Sequence, residues 1–427
     1  MLKQIAGTTF TKIIITGLGF LTVILATRFL GAEEYGNISF FVLTLAILQL
    51  VTGVAGGPAL VYLVPRMSLY QLFFGTFFWS VVVHLSGYFI LKLGNTFTPT
   101  LLVHLISLSF IHYLNTFAYT VLLGQKRIMQ FNYILLVQAF FLFSALGGQL
   151  LLTENRDIWI YIYSLYIAYG LSASMGWLLI SKYFSKRNQG NFFSDLGKMI
   201  RYGGFLQLAN GLQLFNYRLS YFFIDHFLGR SFLGIYNAGV QLSEGIWIFG
   251  KSFAVVQYSN ISNSNDRQYA VNISLKLLKV VVAITFTCLL VLFILPRSFY
   301  AFLFGAEFGY VKTVIIYLSP GVLALSASQI LSHFFSGTGQ QHHNAIGSGI
   351  GVFFTFICGI TLIPMLGLAG AGLTASCAFS ATSIYQLIVF IRLGKCKLSD
   401  FAFQKKDIQE AYEIFKKAQK KRPEKAH

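Results

Sequence analysis

Twelve times along its 427 residues the chain runs through about twenty or more predominantly apolar residues. A helix of that length spans the hydrocarbon core of a bilayer, and in lipid only a helix or a closed barrel satisfies its own backbone polar groups. The runs fall roughly at 5–30, 37–64, 69–93, 99–123, 130–153, 158–183, 202–227, 232–257, 270–295, 311–335, 343–363 and 367–392. Connections between them are short, so no loop is long enough to form a domain. Alternating segments of about ten residues are absent, which excludes a β-barrel. The composition agrees: 11% of residues are charged, where a soluble domain carries about a quarter. The expected fold is an all-α polytopic membrane protein of about twelve transmembrane helices.

The charges are lopsided, 32 Lys+Arg against 14 Asp+Glu, for a formal +18. A basic chain invites a nucleic-acid reading, but such proteins concentrate their charge on a polar surface. Here the basic residues are scattered between apolar runs, and no nucleic-acid partner is expected. Their distribution reports topology instead. With the N-terminus in the cytoplasm, one side holds Lys3, Lys12, Arg66, Lys126, Arg127, Lys182 and most of the rest, including the whole C-terminal cluster. The other side keeps only Arg28, Lys92, Arg156, Arg230, Arg297 and Lys312. Both termini are therefore expected in the cytoplasm. The first run is too long for a cleavable signal peptide and lacks a small-residue cleavage site. The tail, 393–427, sets Phe401, Ile408, Tyr412 and Phe415 against Lys405, Lys406, Lys416 and Lys417. That pattern reads either as a basic amphipathic helix on an anionic leaflet or as a solvated tail that enforces topology. Cys288, Cys358, Cys377 and Cys396 have no metal-ligand or paired spacing, so neither a metal nor another cofactor is expected.

The chain also repeats itself. Phe29-Leu-Gly-Ala-Glu-Glu-Tyr-Gly36 follows the first run and Phe227-Leu-Gly-Arg-Ser-Phe-Leu-Gly234 follows the seventh, at an offset of 198 residues. Six helices separate them, an even number, so the halves share one orientation. A parallel duplication places two six-helix bundles about a pseudo-twofold axis along the membrane normal, with a substrate path between them. The expected division is residues 1–185 for the first bundle, 186–201 for a cytoplasmic linker, 202–392 for the second bundle and 393–427 for the tail.

Several stretches carry a family resemblance: Arg28-Phe-Leu-Gly-Ala-Glu-Glu-Tyr-Gly36, Leu233-Gly-Ile-Tyr-Asn-Ala-Gly-Val-Gln-Leu-Ser-Glu244, Pro364-Met-Leu-Gly-Leu-Ala-Gly-Ala-Gly-Leu-Thr-Ala-Ser376 and the turn Leu123-Gly-Gln-Lys-Arg127. With helix count and length, they make the chain resemble, to about residue 392, the O-antigen and capsule repeat-unit flippases. These form the polysaccharide branch of the multidrug/oligosaccharidyl-lipid/polysaccharide exporter superfamily. The resemblance implies a V-shaped pair of bundles working by alternating access in a bacterial cytoplasmic (inner) membrane. The implied cargo is an oligosaccharide on undecaprenyl pyrophosphate, moved to the outer leaflet for surface polysaccharide biosynthesis. A polysaccharide polymerase and glycosyltransferases are the implied partners, beside the membrane lipids. The lipid II flippase shares this fold but commonly has two further helices, which are not found here.

Independently of that likeness, ionisable residues in the runs must face a cavity or a partner, since each costs at least about 2.5–3.5 kcal/mol at mid-membrane. In the seventh run Gln207, Arg218, Tyr221 and Asp225 share one helical face, and in the eighth Asn237, Gln241, Glu244 and Lys251 share another. As a site, Arg218 and Lys251 suit a pyrophosphate or acidic sugar, because guanidinium and ammonium groups complement phosphate oxygens. Glu244 and Asp225 are then the candidates for coupling to a proton or sodium. As a structural feature, Arg218 and Glu244 are an ion pair locking two helices. Lys12 lies about two turns inside the first helix, placed either to receive a headgroup or to snorkel to the interface. His84, His104 and His112 suggest a proton relay or ordinary packing, and His342-His343 reads as surface. A multidrug exporter of the same fold is the rival function, although it needs an anionic interior that Lys12 and Arg218 oppose. An enzyme, such as a membrane polymerase or transferase, is not expected, because no catalytic loop or acid/His constellation stands at a membrane face.

Overall fold

The computed structural model describes residues 2–184, 192–262 and 266–402, all helix or connection with no strand among them. The elements are α1 (Leu2–Thr52), α2 (Gly57–Leu63), α3 (Leu69–Leu93), α4 (Pro99–Gly124), α5 (Ile128–Leu152), α6 (Ile158–Ser181), α7 (Phe192–Leu228), α8 (Arg230–Ser262), α9 (Arg267–Ile294), α10 (Arg297–Phe304), a 3-10 turn (Ala306–Tyr310), α11 (Val311–Gly337), α12 (His342–Leu366) and α13 (Leu368–Gly394). Nine helices among the described residues are long and apolar enough to cross a membrane. Twelve crossings follow because α1 turns back on itself at Gly31, and because α7 and α8 also traverse the bundle. Those two fall short on apolarity because of the polar stripes they carry.

Residue 2 and the end of α13 lie on one end of the bundle, the terminal side. Gly31, Gly229 and Gly367 turn the chain on the other, the hinge side. Gly31 (φ 83°, ψ 177°) and Gly229 (φ 90°) hold the same left-handed backbone 198 residues apart, which glycine adopts without the steric cost of a Cβ. The duplication extends beyond the motif. α3 starts at Leu69 and α9 at Arg267, again 198 apart; the halves differ where the first breaks after Thr52 into the short α2 while α8 runs unbroken, and where 297–310 adds α10 and the 3-10 turn.

The halves meet as a pseudo-twofold contact. Gly36 lies against the carbonyl of Arg230, and Gly234 against the carbonyl of Ala32, so each contact is the other seen from the opposite half. A side chain at either glycine would collide with backbone. Ser39 and Asn237, also equivalent, hydrogen-bond to each other at 2.7 Å, which puts them beside the axis.

Side chains repair the backbone where helices break. Pro320 interrupts α11, and the Ser376 hydroxyl of α13 accepts from Gly321 N at 3.1 Å while donating to Tyr317 O at 2.6 Å. It thus bridges the donor and acceptor that a regular turn would have joined.

Two boundaries differ from the sequence reading. α7 begins at Phe192, inside the stretch expected to be a linker at 186–201. Asp195, Lys198 and Arg201 interrupt its apolarity there, yet Leu196 and Met199 are buried on the first half and Gln71 donates to Asp195 at 3.0 Å. The stretch 297–310, expected to be a connection, is instead mostly helical, with Tyr300, Phe304 and Phe308 fully buried. Of the tail expected at 393–427, residues 403–427 lie outside the described residues.

Candidate substrate pathway

The polar stripe of α7 meets that of α8 in the middle of the molecule. Arg218 Nη2 lies 2.6 Å from Glu244 Oε1, and Arg218 Nη1 donates to Tyr221 Oη at 2.9 Å. Tyr221 donates to Asn237 Oδ1 at 2.7 Å, and the Asn237 amide reaches across the seam to Ser39 at 2.7 Å and Tyr35 at 3.2 Å. A guanidinium of the second half is thereby wired to hydroxyls of the first. Both charges are mostly shielded, with 19% and 22% of the side chains exposed. At such depth a lone charge is costly, and losing either partner destabilises by about 3–5 kcal/mol.

Two adjoining cavities lie on the terminal side of this network. A cavity of about 330 Å³ is bounded by Arg218, Tyr221, Asn237, Tyr35, Ser39 and Tyr161. A larger one of about 890 Å³ opens between the first half of α1 (Ile13 to Val23) and α8 (Gln241 to Lys251). They share Thr22, Val23, Tyr161 and Gln241, and so form one path. The lining of the larger cavity is mostly apolar, with Ile13, Phe20, Val23, Leu242, Ile246 and Leu292, and Gln241, Glu244 and Lys251 of α8 set an amide and two charges into it. Lys251 is exposed, has no carboxylate partner among the described residues, and stands with Nζ 5.9 Å from the Trp247 ring centroid.

The structure therefore gathers Arg218, Tyr221, Asn237, Gln241, Glu244 and Lys251 along this path. It does not bring the other three candidates there. Asp225 sits at the hinge end of α7, paired with Arg230 at 2.8 Å, while Arg230 also stacks over Phe40 at 3.9 Å. Gln207 is buried near the other end, accepting from Asn210 at 2.6 Å and packed against Gly53 and Gly57. Lys12 is exposed on α1 and lines neither cavity. The histidines form no chain: His84 bonds Ser80 and Ser109, His104 bonds Tyr166, and His112 stacks on Tyr169. His342, read as surface, lines a third cavity within the second half.

Sequence reasoning missed Tyr35, Ser39 and Tyr161. Ser39 was accessible through the repeat, since it is the position equivalent to the intramembrane Asn237, whereas the equivalent of Tyr35 is Leu233. Also missed was the hinge-side closure. Glu307 of the 3-10 turn accepts from Ala32 N at 2.7 Å, capping the helix that restarts after Gly31. Phe304 meets Phe20 edge-on, Phe308 meets Tyr35, and Arg28 lies over Phe302. The seam is shut on this side. Among the described residues no group of three or more His, Cys, Asp or Glu could hold a metal.

No protein-family model matches the chain, and a comparison with curated proteins finds no match. Solved structures do match. A lipid II flippase, MurJ, in an inward closed conformation is 14% identical, covering 96% of this chain and 92% of its own with a TM-score of 0.72. An inward-facing multidrug resistance MATE transporter of the MOP superfamily is 14% identical, with 90% and 96% covered and a TM-score of 0.67. A MOP superfamily transporter from Pyrococcus furiosus, described as having a binding pocket of reverse polarity, is 13% identical, with 92% and 97% covered and a TM-score of 0.60. The chain has the fold of these transporters and is a multi-pass membrane protein.

Proposed function

We propose that the protein is a flippase that carries a lipid-linked oligosaccharide, on undecaprenyl pyrophosphate, from the cytoplasmic to the outer leaflet for surface polysaccharide biosynthesis. The observation that carries this reading is the path between α1 and α8. It combines a largely apolar lining with the charges of Lys251 and, at its end, Arg218, the mixed lining that an anionic headgroup on an apolar tail requires. The neighbour named as a lipid II flippase supports the cargo class, and the Lys and Arg bias supports taking the terminal side, with both termini, as cytoplasmic. A polysaccharide polymerase and glycosyltransferases are the expected partners, acting before and after transport.

The network also supplies a mechanism. Arg218 neutralises Glu244 and, through Tyr221 and Asn237, fastens the hinge-side seam. A headgroup phosphate arriving past Lys251 competes with Glu244 for the guanidinium fork. Drawing Arg218 toward the phosphate slackens the Tyr221–Asn237–Ser39 chain, so cargo binding weakens the contacts that must part for release. Protonation of Glu244 would free Arg218 in the same way, which keeps Glu244 as the coupling candidate; Asp225, already held by Arg230, is the poorer one.

Export of cationic compounds is the second reading, favoured by the Glu244 carboxylate on the cavity wall. In proteoliposomes, the flippase reading expects a fluorescent polyprenyl-pyrophosphate oligosaccharide to become accessible on the opposite leaflet, and depletion in cells to cause lipid-linked repeat units to accumulate. Ethidium transport without lipid movement would decide for the exporter.

A further inference from the structure

The turn Leu123–Arg127 lies outside the path and has a counterpart in the second half. α4 ends at Gly124 and α11 at Gly337, and the chain leaves both helices through the same hydrogen bonds. Lys126 N donates to Leu123 O and Arg127 N to Leu122 O, just as Gly339 N donates to Ser336 O and Gln340 N to Phe335 O. The residue that turns the chain has a left-handed backbone in each, φ 61° at Lys126 and φ 75° at Gly339. The second half places glycine there, which adopts that conformation freely. The first half places a lysine, at a steric cost that glycine escapes.

That cost sets an ammonium among other cations. Arg127 Cζ and Lys182 Nζ stand 5.5 Å and 5.2 Å from the centroid of one ring, Tyr183, and Lys126, Arg127 and Lys182 are all exposed. None of the three side chains has a carboxylate or a hydrogen-bond partner among the described residues. Elsewhere on the terminal side Arg66 donates to Tyr62 O at 2.6 Å and Lys198 pairs with Asp195 at 3.1 Å. The bias that sets topology asks only that basic residues lie on one side. It does not ask that they gather round one ring or occupy strained backbone.

Cations gathered without a counter-ion suit an anion with several oxygens to share, and a phosphate is one. The cluster stands where α4 and α6 end and α5 begins, at the level of the lipid headgroups. Apolar surface lies open beside it: Met129 at the start of α5 is 57% exposed, and Leu178, one turn before Lys182, is 76% exposed. A free phosphate would cover the cations alone, whereas an anion with apolar tails covers both surfaces.

We propose that Lys126, Arg127 and Lys182 bind the phosphate headgroup of an anionic lipid of the terminal-side leaflet, whose acyl chains lie along Met129 and Leu178. Basic pockets between spanning helices hold headgroups of this kind. The site belongs to the first half alone, and it stands whether or not the protein carries a lipid-linked cargo.

The test uses the full-length protein in detergent, with native mass spectrometry counting bound lipid and a melting curve as the second readout. Dioleoyl phosphatidylglycerol should saturate one site at least tenfold more tightly than dioleoyl phosphatidylcholine. Each basic residue beside an anionic lipid is worth roughly fivefold in affinity, so Arg127→Gln with Lys182→Gln should weaken phosphatidylglycerol about 25-fold. Lys126→Gly should weaken it about fivefold while raising the melting temperature of the lipid-free protein, because the turn loses its strain along with its charge. Arg66→Gln, which removes a cation elsewhere on the same side, should change affinity less than twofold. Equal binding of the two lipids, wild-type affinity in Lys126→Gly, or an equal loss in Arg66→Gln would overturn the site. Inorganic phosphate stabilising the protein as much as phosphatidylglycerol, with no further gain from the lipid, would overturn it in favour of a free anion.

Discussion

The two ends of the seam are built on opposite principles. On the hinge side the halves touch backbone to backbone at Gly36 and Gly234, and the Ser39–Asn237 hydrogen bond, the Asp225–Arg230 pair and the capping carboxylate of Glu307 lie beside that contact. On the terminal side they are joined along one flank only, where α7 packs on α2 and α3 through Met199, Tyr202 and Gly203. Along the other flank α1 and α8 stand apart around the large cavity. The contrast teaches which end is sealed. On the hinge side Phe304 and Phe308 bury against Phe20 and Tyr35 over the glycine contact, so opening there must expose apolar surface as well as part the polar contacts.

The largest expected effect falls on the ion pair. Arg218→Ala should abolish lipid translocation while the protein still inserts, and pairing it with Glu244→Gln should restore thermal stability but not transport. Wild-type surface polysaccharide in the Arg218→Ala strain would break the proposal. Next comes the backbone contact: Gly234→Val forces the seam apart on the hinge side, so a cysteine placed at Ser39 should become reactive to a membrane-impermeant thiol reagent. Continued protection of that cysteine would mean the contact is not a seal. Lys251→Ala should weaken cargo affinity about tenfold with little change in the melting temperature, since no carboxylate partner is stranded by its removal. Glu307→Ala removes a charged hydrogen bond of about 1.5 kcal/mol and should raise hinge-side thiol reactivity roughly tenfold. The smallest effect is expected at Lys12, where Ala should leave transport within twofold; a larger loss would return Lys12 to the pathway.

The fold was legible because membrane crossing imposes a length and a composition that single segments display without reference to one another. The duplication was legible from one octapeptide, and its helical motif proved to mark a shared glycine turn. Less was visible where partners lie far apart in the chain. Helical phase placed Gln207 and Asp225 on the stripe of Arg218, but phase gives azimuth and not depth. Eighteen residues at 1.5 Å each separate those two by about 27 Å, so one stripe serves three separate environments: a buried contact with Gly53 and Gly57, an ion pair with Glu244 and a pairing with Arg230. The capping by Glu307 was hidden for another reason, since 297–310 is too short to register as a span and its contacts are with α1.

The Ser376 splice in α11 carries a mechanical meaning. One hydroxyl completes the interrupted ladder of a neighbouring helix, so α11 cannot slide or twist against α13 without opening its own main chain. The two helices are welded at that level and move as a plate. Flexure in the second half is then left to the elements not so joined, α7 and α8 with the free turn at Gly229, and those are the helices that carry the charges of the path.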